Sequence, residues 1–245
     1  MNNGPVHVIL GASGGIGAAL ARTLHQTGAR LVLAARDAQR LHDVAAPLSA
    51  DAVPTDALVS GEVDALFAHT IATHGRVDGV AVCVGSILLK PLHLTSDDEF
   101  RRTLEQNVLP AFHATRAAVR AMQESGGSIV LFASAASEVG LPNHEAISAA
   151  KSAVVGLARS TAATYAAKHI RVNVVAPGLV RTAMSARITQ SAPALAASTA
   201  MHPLGRIGEA DEVARAAAFL LDPANSWITG TVIGIDGGLA QLRGR

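Results

Sequence analysis

Three glycines, Gly11, Gly15 and Gly17, follow the apolar run Val6-His7-Val8-Ile9-Leu10, and apolar residues at helical spacing follow them through Ala18 to Leu24. A short apolar run of this kind reads as a buried parallel strand. Glycine lets the backbone turn sharply and approach a ligand with no Cβ in the way. The start of a helix presents unpaired amides and the positive end of the helix dipole. Strand, glycine turn and helix in that order make a pyrophosphate site, with Ser13 and Ile16 in the turn and at the helix start. The spacing is G-x-x-x-G-x-G, not G-x-G-x-x-G. A turn that binds nothing is the other reading of the same glycines.

Further candidates lie where later strands end. Arg30 to Ala35 reads as the second strand, and Arg36-Asp37 closes it. In a dinucleotide fold this end meets the adenosine ribose. An acid there would accept from the 2′-hydroxyl of NAD, whereas Arg36 suits a 2′-phosphate through its charge and planar fork of donors. The residues therefore favour NADP(H), with NAD(H) possible. Asp37 is a competing partner for Arg36 or Arg40. In Thr55-Asp56-Ala57, Asp56 either contacts the adenine amino group or caps the helix around Val63 to His74. The fifth strand delivers Ser134 to the sheet edge where open parallel sheets hold ligands, and Lys151 lies in the helical pattern Glu145 to Lys168. Asn107 precedes Pro110 by three positions, so a break or kink is expected there. Asn107 is then either a surface residue or one whose side chain or carbonyl faces a water chain.

Strand and helix signals alternate along all 245 residues, which predicts one α/β domain built on a parallel sheet with helices on both faces. Residues 183–204, rich in Ala, Ser and Thr, fit the alternation poorly, and a loop or helical lid over the site is expected there. Net charge is +1, which gives no reason to expect nucleic acid or an anionic membrane as a partner. The histidines are scattered without an H-x-x-x-H pair, so no metal site is expected. Cys83 is the only cysteine; it reads as an inert core thiol and fits a reducing cytoplasm. Met1-Asn2-Asn3-Gly4-Pro5 lacks the basic segment of a signal peptide, and no uncharged apolar run reaches membrane-spanning length.

Taken together, Gly11-x-x-x-Gly15-Ile16-Gly17, Asn107, Ser134, Lys151, Pro177-Gly178-x-Val180-x-Thr182 and the ending Ile228-Thr229-Gly230 to Asp236-Gly237-Gly238 resemble the short-chain dehydrogenase/reductase family. The resemblance covers essentially the whole chain. It implies a Rossmann-type, doubly wound sheet of about seven strands, a homodimer or homotetramer, and hydride transfer between a nicotinamide and a small organic molecule. It also implies that Lys151 binds the nicotinamide ribose, that Val180 and Thr182 hold the carboxamide end, and that Pro177 and Gly178 border the cofactor.

Two positions depart from the family pattern. Val82-Cys83-Val84-Gly85 stands where Asn-Asn-Ala-Gly is usual, and Gly85 still lets the backbone pass close to the cofactor. Ile147 stands four residues before Lys151, where the family has its tyrosine acid, and Ser134 is thirteen residues before Ile147, as that alignment requires. The only tyrosine, Tyr165, lies fourteen residues past Lys151, ~21 Å along a helix. Isoleucine donates no proton, and loss of a general acid typically removes ~10²–10⁴ in rate. Four readings remain open. The substrate is an already protonated imine; or His144, beside Glu145, supplies the proton; or Ser134 polarises a carbonyl and water protonates it slowly; or the chain binds nucleotide without turnover, as a sensor or partner subunit. His144 and Glu145 also read simply as helix-start surface residues.

Overall fold

The computed structural model describes residues 4–242; the N-terminal reading at Met1-Asn2-Asn3 lies outside that range. The chain lays down β1 (Val6–Leu10), β2 (Arg30–Ala35), β3 (Asp51–Pro54), β4 (Gly79–Val82), β5 (Gly127–Phe132) and β6 (Ile170–Pro177). A small pair follows, β7 (Val180–Arg181) with β8 (Gly208–Glu209), and then β9 (Val232–Ile235). The main sheet has seven parallel strands in the order β3-β2-β1-β4-β5-β6-β9. The helices are α1 (Gly15–Gln26), α2 (Ala38–Ala45), α3 (Ser60–His74), α4 (Asp97–Met122), α5 (Glu145–Tyr165), α6 (Ala186–Thr189), α7 (Ala192–Met201) and α8 (Ala210–Leu221). This is the single-domain, doubly wound α/β architecture that the alternation predicts.

Side-chain alternation along each strand divides the apolar residues between two cores. Val8 and Leu10 join Leu66 of α3, Ala114 of α4 and Val154 of α5 on one face. Ile9 joins Leu20 of α1 and Leu220 of α8 on the other. All five positions of β1 and all eight of β6 are buried, which is why both read as nearly continuous apolar runs. Alanines such as Ala111, Ala114, Ala158 and Ala162 let α4 and α5 pack closely on the sheet.

After β3 the chain crosses back to place β4 beside β1, so winding reverses between those two strands. Loops leaving β1 and β4 therefore diverge, and a crevice opens at their C-terminal ends.

Two expectations change here, and a third segment takes on detail. No break occurs at Asn107: α4 runs unbroken from Asp97 to Met122 with Pro110 inside it. Ten buried side chains hold this helix, enough to outweigh the roughly 3 kcal/mol a proline costs. Asp56 does not cap α3, whose N-cap is Val59; its Oδ1 instead accepts from the Leu58 amide at 3.0 Å. Residues 181–205 are an excursion whose two ends are pinned by the β7–β8 pair, and it carries α6 and α7, neither of which has a buried residue. Among the described residues, no helix is long and apolar enough to cross a membrane.

Candidate active site

The glycine turn sits at the reversal point. Gly11 adopts φ +79°, and a Cβ there would lie 2.7 Å from Cys83 O. A Cβ on Gly17 would press on Gly11 O and lie 2.9 Å from Ala12 Cα. A Cβ on Gly15 would fall 2.8 Å from Thr182 Cγ2, so Thr182 closes over the turn from the far side. Gly14 is the N-cap of α1 and brings no side chain to its amides. These three positions admit only glycine, and they leave the positive end of α1 open to a ligand.

A crevice of about 420 Å³ follows from this turn, lined by Gly11, Ser13, Gly15, Ile16 and Gly17 and continuing past Arg36 to Asp56 and Ala57. Arg36 is exposed at the end of β2. Asp37 is not its partner: it is the N-cap of α2, and its Oδ1 accepts from the Arg40 amide at 3.0 Å. Arg40 also lines the crevice, and its guanidinium donates to Ser13 O at 3.2 Å. The sequence reading assigned it no binding role; its position in the first turn after the Asp37 cap was the available signal. The crevice suits a dinucleotide. It has bare backbone at a helix start, two guanidiniums where an adenosine ribose would lie, and glycines at Gly11 and Gly17 whose added Cβ would meet neighbouring backbone.

A second cavity, about 150 Å³, adjoins it and shares Ile16, Gly85, Ser86 and Thr182 as walls. It brings together Ser134, Ile147, Lys151, Pro177, Gly178 and Val180. Ser134 caps the short 3₁₀ turn Ala135–Ser137, its Oγ accepting from the Ala136 amide at 3.2 Å. A hydroxyl that accepts there still has its own hydrogen to donate. Ser148 Oγ donates to Ala136 O at 2.6 Å and fixes that turn to α5. Ile147 is buried, 4 % exposed. Lys151 lies one turn further along the same face of α5, 8 % exposed, and its Nζ donates to Phe132 O at 3.1 Å. Burial lowers its pKa from 10.5 to about 8, with the nearby Cys83 working the other way. Burial also raises the Cys83 thiol to about 12; the residue is nonetheless not a core group, because it is only partly buried and lines both cavities.

Asn107 is buried, not on the surface. Its Nδ2 donates to Thr103 O at 2.9 Å and to Ser86 Oγ at 3.0 Å, and its Oδ1 accepts from the Ser86 amide at 3.2 Å. It ties the loop after β4 to α4, and a Cβ on Gly85 would lie 2.8 Å from its Oδ1 and 3.1 Å from Lys151 Nζ. His144 is not brought in. It is the N-cap residue of α5, its Nδ1 lies 2.7 Å from Pro142 O, and it is absent from the walls of both cavities. Glu145 is exposed and likewise outside.

Two residues the sequence did not single out shape the far wall. Buried Ser185 accepts from the Thr182 amide at 3.1 Å and donates to Val180 O. His202 accepts from the Leu179 amide at Nε2 (3.1 Å), so its Nδ1 carries the hydrogen that Ser198 O accepts at 2.7 Å. It thereby links the end of α7 to the loop after β6. Lone residues in an alanine-rich stretch carry no pattern that would announce this.

The family described as Enoyl-(Acyl carrier protein) reductase matches residues 11–240. The 2,5-dichloro-2,5-cyclohexadiene-1,4-diol dehydrogenase of Sphingobium indicum is 36% identical over 249 residues, covering 98% of each chain. A short-chain type dehydrogenase/reductase from Mycobacterium ulcerans superposes with a TM-score of 0.93 at 33% identity, covering 98% of this chain and 91% of its own. The chain belongs to the short-chain dehydrogenase/reductase family. Another structure in this fold, ElxO with NADP bound, superposes with a TM-score of 0.91 at 25% identity, covering 98% of this chain and all (100%) of its own. In this short-chain dehydrogenase/reductase the second cavity brings together Ser134 and Lys151, with Ile147 between them in sequence and on the same wall.

Proposed function

We propose that this chain is an NADP(H)-dependent oxidoreductase that reduces or forms a carbonyl on a small, largely apolar organic molecule. The observation that carries the reading is the shared wall. The crevice bearing Arg36 and Arg40 opens directly onto the cavity bearing Ser134 and Lys151. Gly11, Ser13, Gly15, Ile16 and Gly17 would hold the pyrophosphate, Arg36 with Arg40 the 2′-phosphate, and Asp56 with Ala57 the adenine. Lys151 would bind the nicotinamide ribose, and Pro177, Gly178, Val180 and Thr182 the carboxamide side. A bound reduced nicotinamide supplies a hydride.

Ser134 donates its hydroxyl hydrogen to the substrate oxygen and draws charge off the reacting carbon. The apolar part of the wall includes Val84, Ile87, Phe132, Ile147, Leu179 and Met184, beside the hydroxyls of Ser86, Thr182 and Ser185, which suits a largely apolar substrate body. This wall also favours C=O over C=N. It holds an amine and, among the described residues, no carboxylate. A protonated imine would enter beside Lys151 with nothing to offset the repulsion. The activated C=C substrate stays within the reading where the double bond is conjugated to such a carbonyl.

Residues 181–205, tethered at both ends and loosely packed, suit a lid over this cavity. A homodimer or homotetramer would cover the exposed Leu109 and Phe112 of α4, and the single cysteine suits a cytoplasmic location.

Calorimetric titration of NADPH and NADH tests the cofactor. Arg36→Asp is expected to lower the NADPH-over-NADH preference by about tenfold or more, and an unchanged ratio refutes the NADP assignment. Single-turnover NADPH oxidation with ketones, cyclic imines and enones, by wild type and by Ile147→Tyr, tests the reaction. NADPH that binds to both but is oxidised by neither refutes an enzyme.

A further inference from the structure

We infer that Lys151 is itself the proton donor to the substrate oxygen, acting directly where the family interposes a tyrosine. The inference rests on the carbonyl-reducing reading above.

Its basis is geometric. Lys151 and Ile147 are four residues apart on α5, so their side chains share one face. Helical side chains lean toward the helix N-terminus, which carries the long lysine chain back toward Ile147. Both residues line the cavity that Ser134 lines. Ile147 ends in methyl groups and offers no hydrogen-bonding atom between the ammonium and the space in front of Ser134. The ammonium has three hydrogens. Phe132 O takes one at 3.1 Å, leaving two, enough for a ribose hydroxyl and a substrate oxygen together.

Other donors are worse placed. His144 is outside both cavities. Tyr165 lies at the far end of α5. Cys83 faces Lys151 from the end of β4 and holds its proton to about pH 12. The groups around Nζ are Phe132 O from β5, Gly85 from the loop after β4, and Cys83, the titratable neighbour acting on it electrostatically. No carboxylate lines this cavity among the described residues, so Phe132 O holds the ammonium without an ion pair in the cavity.

The step balances. The carbonyl carbon accepts the hydride with its two electrons, and the C–O π pair moves onto oxygen as the O–H bond forms. One N–H bond of the ammonium breaks, its pair stays on nitrogen as a neutral amine, and water later returns the proton. The transfer replaces an ammonium and an alkoxide by an amine and an alcohol. An apolar, buried setting favours the uncharged pair. The reverse reaction needs the neutral amine, so reduction must fall and alcohol oxidation must rise as the pH passes about 8.

The test pairs a direct titration with kinetics on the full-length protein. Acetylation of Lys151 by acetic anhydride, followed by mass spectrometry across pH, reads the amine without turnover. A midpoint near 8 supports the inference, and one at or above about 10, the ordinary lysine range, overturns it. Single-turnover NADPH oxidation with cyclohexanone and acetophenone is then followed from pH 6 to 10. The expected result is a falling limb that coincides with the acetylation midpoint and vanishes in Lys151→Arg, which also loses ~10²–10⁴ in rate. In Ile147→Tyr the limb should move to higher pH. A limb that persists in Lys151→Arg, or disappears in His144→Ala, overturns the inference while leaving the carbonyl reading intact. NADPH bound but never oxidised, in wild type and in Ile147→Tyr alike, overturns both.

Discussion

Keeping Lys151 charged inside an apolar wall should cost the protein stability, and the cost can be read without any substrate. Its pKa falls from 10.5 in an exposed chain to about 8 in the fold. Below pH 8 both states hold the proton, and the folded state bears the full penalty, about 3 kcal/mol. Between pH 8 and 10.5 the unfolded chain binds more protons than the folded one, so stability rises with pH. Integrating the two titrations from pH 7 to pH 9 gives a gain on the order of 1 kcal/mol for this one group. Cys83 works the other way: its thiol is raised to about 12, so folding loses stability as the pH rises to 9 and beyond. That loss is common to wild type and Lys151→Met and nearly cancels in their difference. Lys151→Met should therefore be the more stable protein at pH 7, less the value of the contact with Phe132 O. Its advantage over wild type should shrink by about 1 kcal/mol at pH 9. Urea unfolding at both pH values, at fixed protein concentration and without nucleotide, measures this directly. Equal pH dependence in the two proteins would refute the claim that the buried amine is held near neutral pH.

At the opposite edge of the sheet His7 is 3 % exposed, and burial lowers its pKa from 6.5 to about 4. Protonation then favours the unfolded chain, so stability should drop by up to about 3 kcal/mol as pH falls from 6.5 to 4; in His7→Leu the same urea series should be flatter over that window. Gly17→Ala forces a Cβ against the backbone of Gly11 and Ala12 and should raise the Kd for NADPH at least tenfold, about 1.4 kcal/mol. Gly61→Ala, where an added Cβ meets nothing within 4 Å, should leave that Kd unchanged in the same titration.

The sheet was legible because its physics is local. A parallel strand buried on both faces is mostly apolar, and the runs at Val6–Leu10 and Arg30–Ala35 announce themselves to the residue. The helix starts were less legible. Asp56 looked like a cap because caps are acids before helices, yet the chain spends it on its own turn and leaves Val59 at the helix start. Asn107 was misjudged in the same way. Propensity and Pro110 both argue for a break, but a helix with ten buried side chains answers to packing, not to propensity. The glycine turn and Ser134 are placed by the strand pattern, and Lys151 by the family resemblance. Arg40 and His202 are harder to read, because each acts on a backbone atom more than twenty residues away, and Ser185 is a lone serine in an alanine-rich stretch.

The exchange at position 147 also appears differently once side chains are placed. Sequence treats Ile147 as the loss of an acid and looks along the chain for a replacement, which is how His144 enters. We take the converse view. With isoleucine at 147, where the family resemblance leads one to expect a tyrosine, the group one turn further on is Lys151, which lines the same cavity as Ser134. A tyrosine acid needs a cation beside it to lower its pKa from about 10. By the same proposal, an amine whose pKa burial has already lowered to about 8 needs only a neighbour that does not hydrogen-bond to it, and isoleucine offers no hydrogen bond. Ile147→Gln is the decisive variant, since an amide there would solvate the ammonium without supplying an acid. It should raise the Lys151 acetylation midpoint toward the ordinary lysine range and slow carbonyl reduction at pH 7. Faster reduction would mean that the apolar residue is a defect in the site and not its working part.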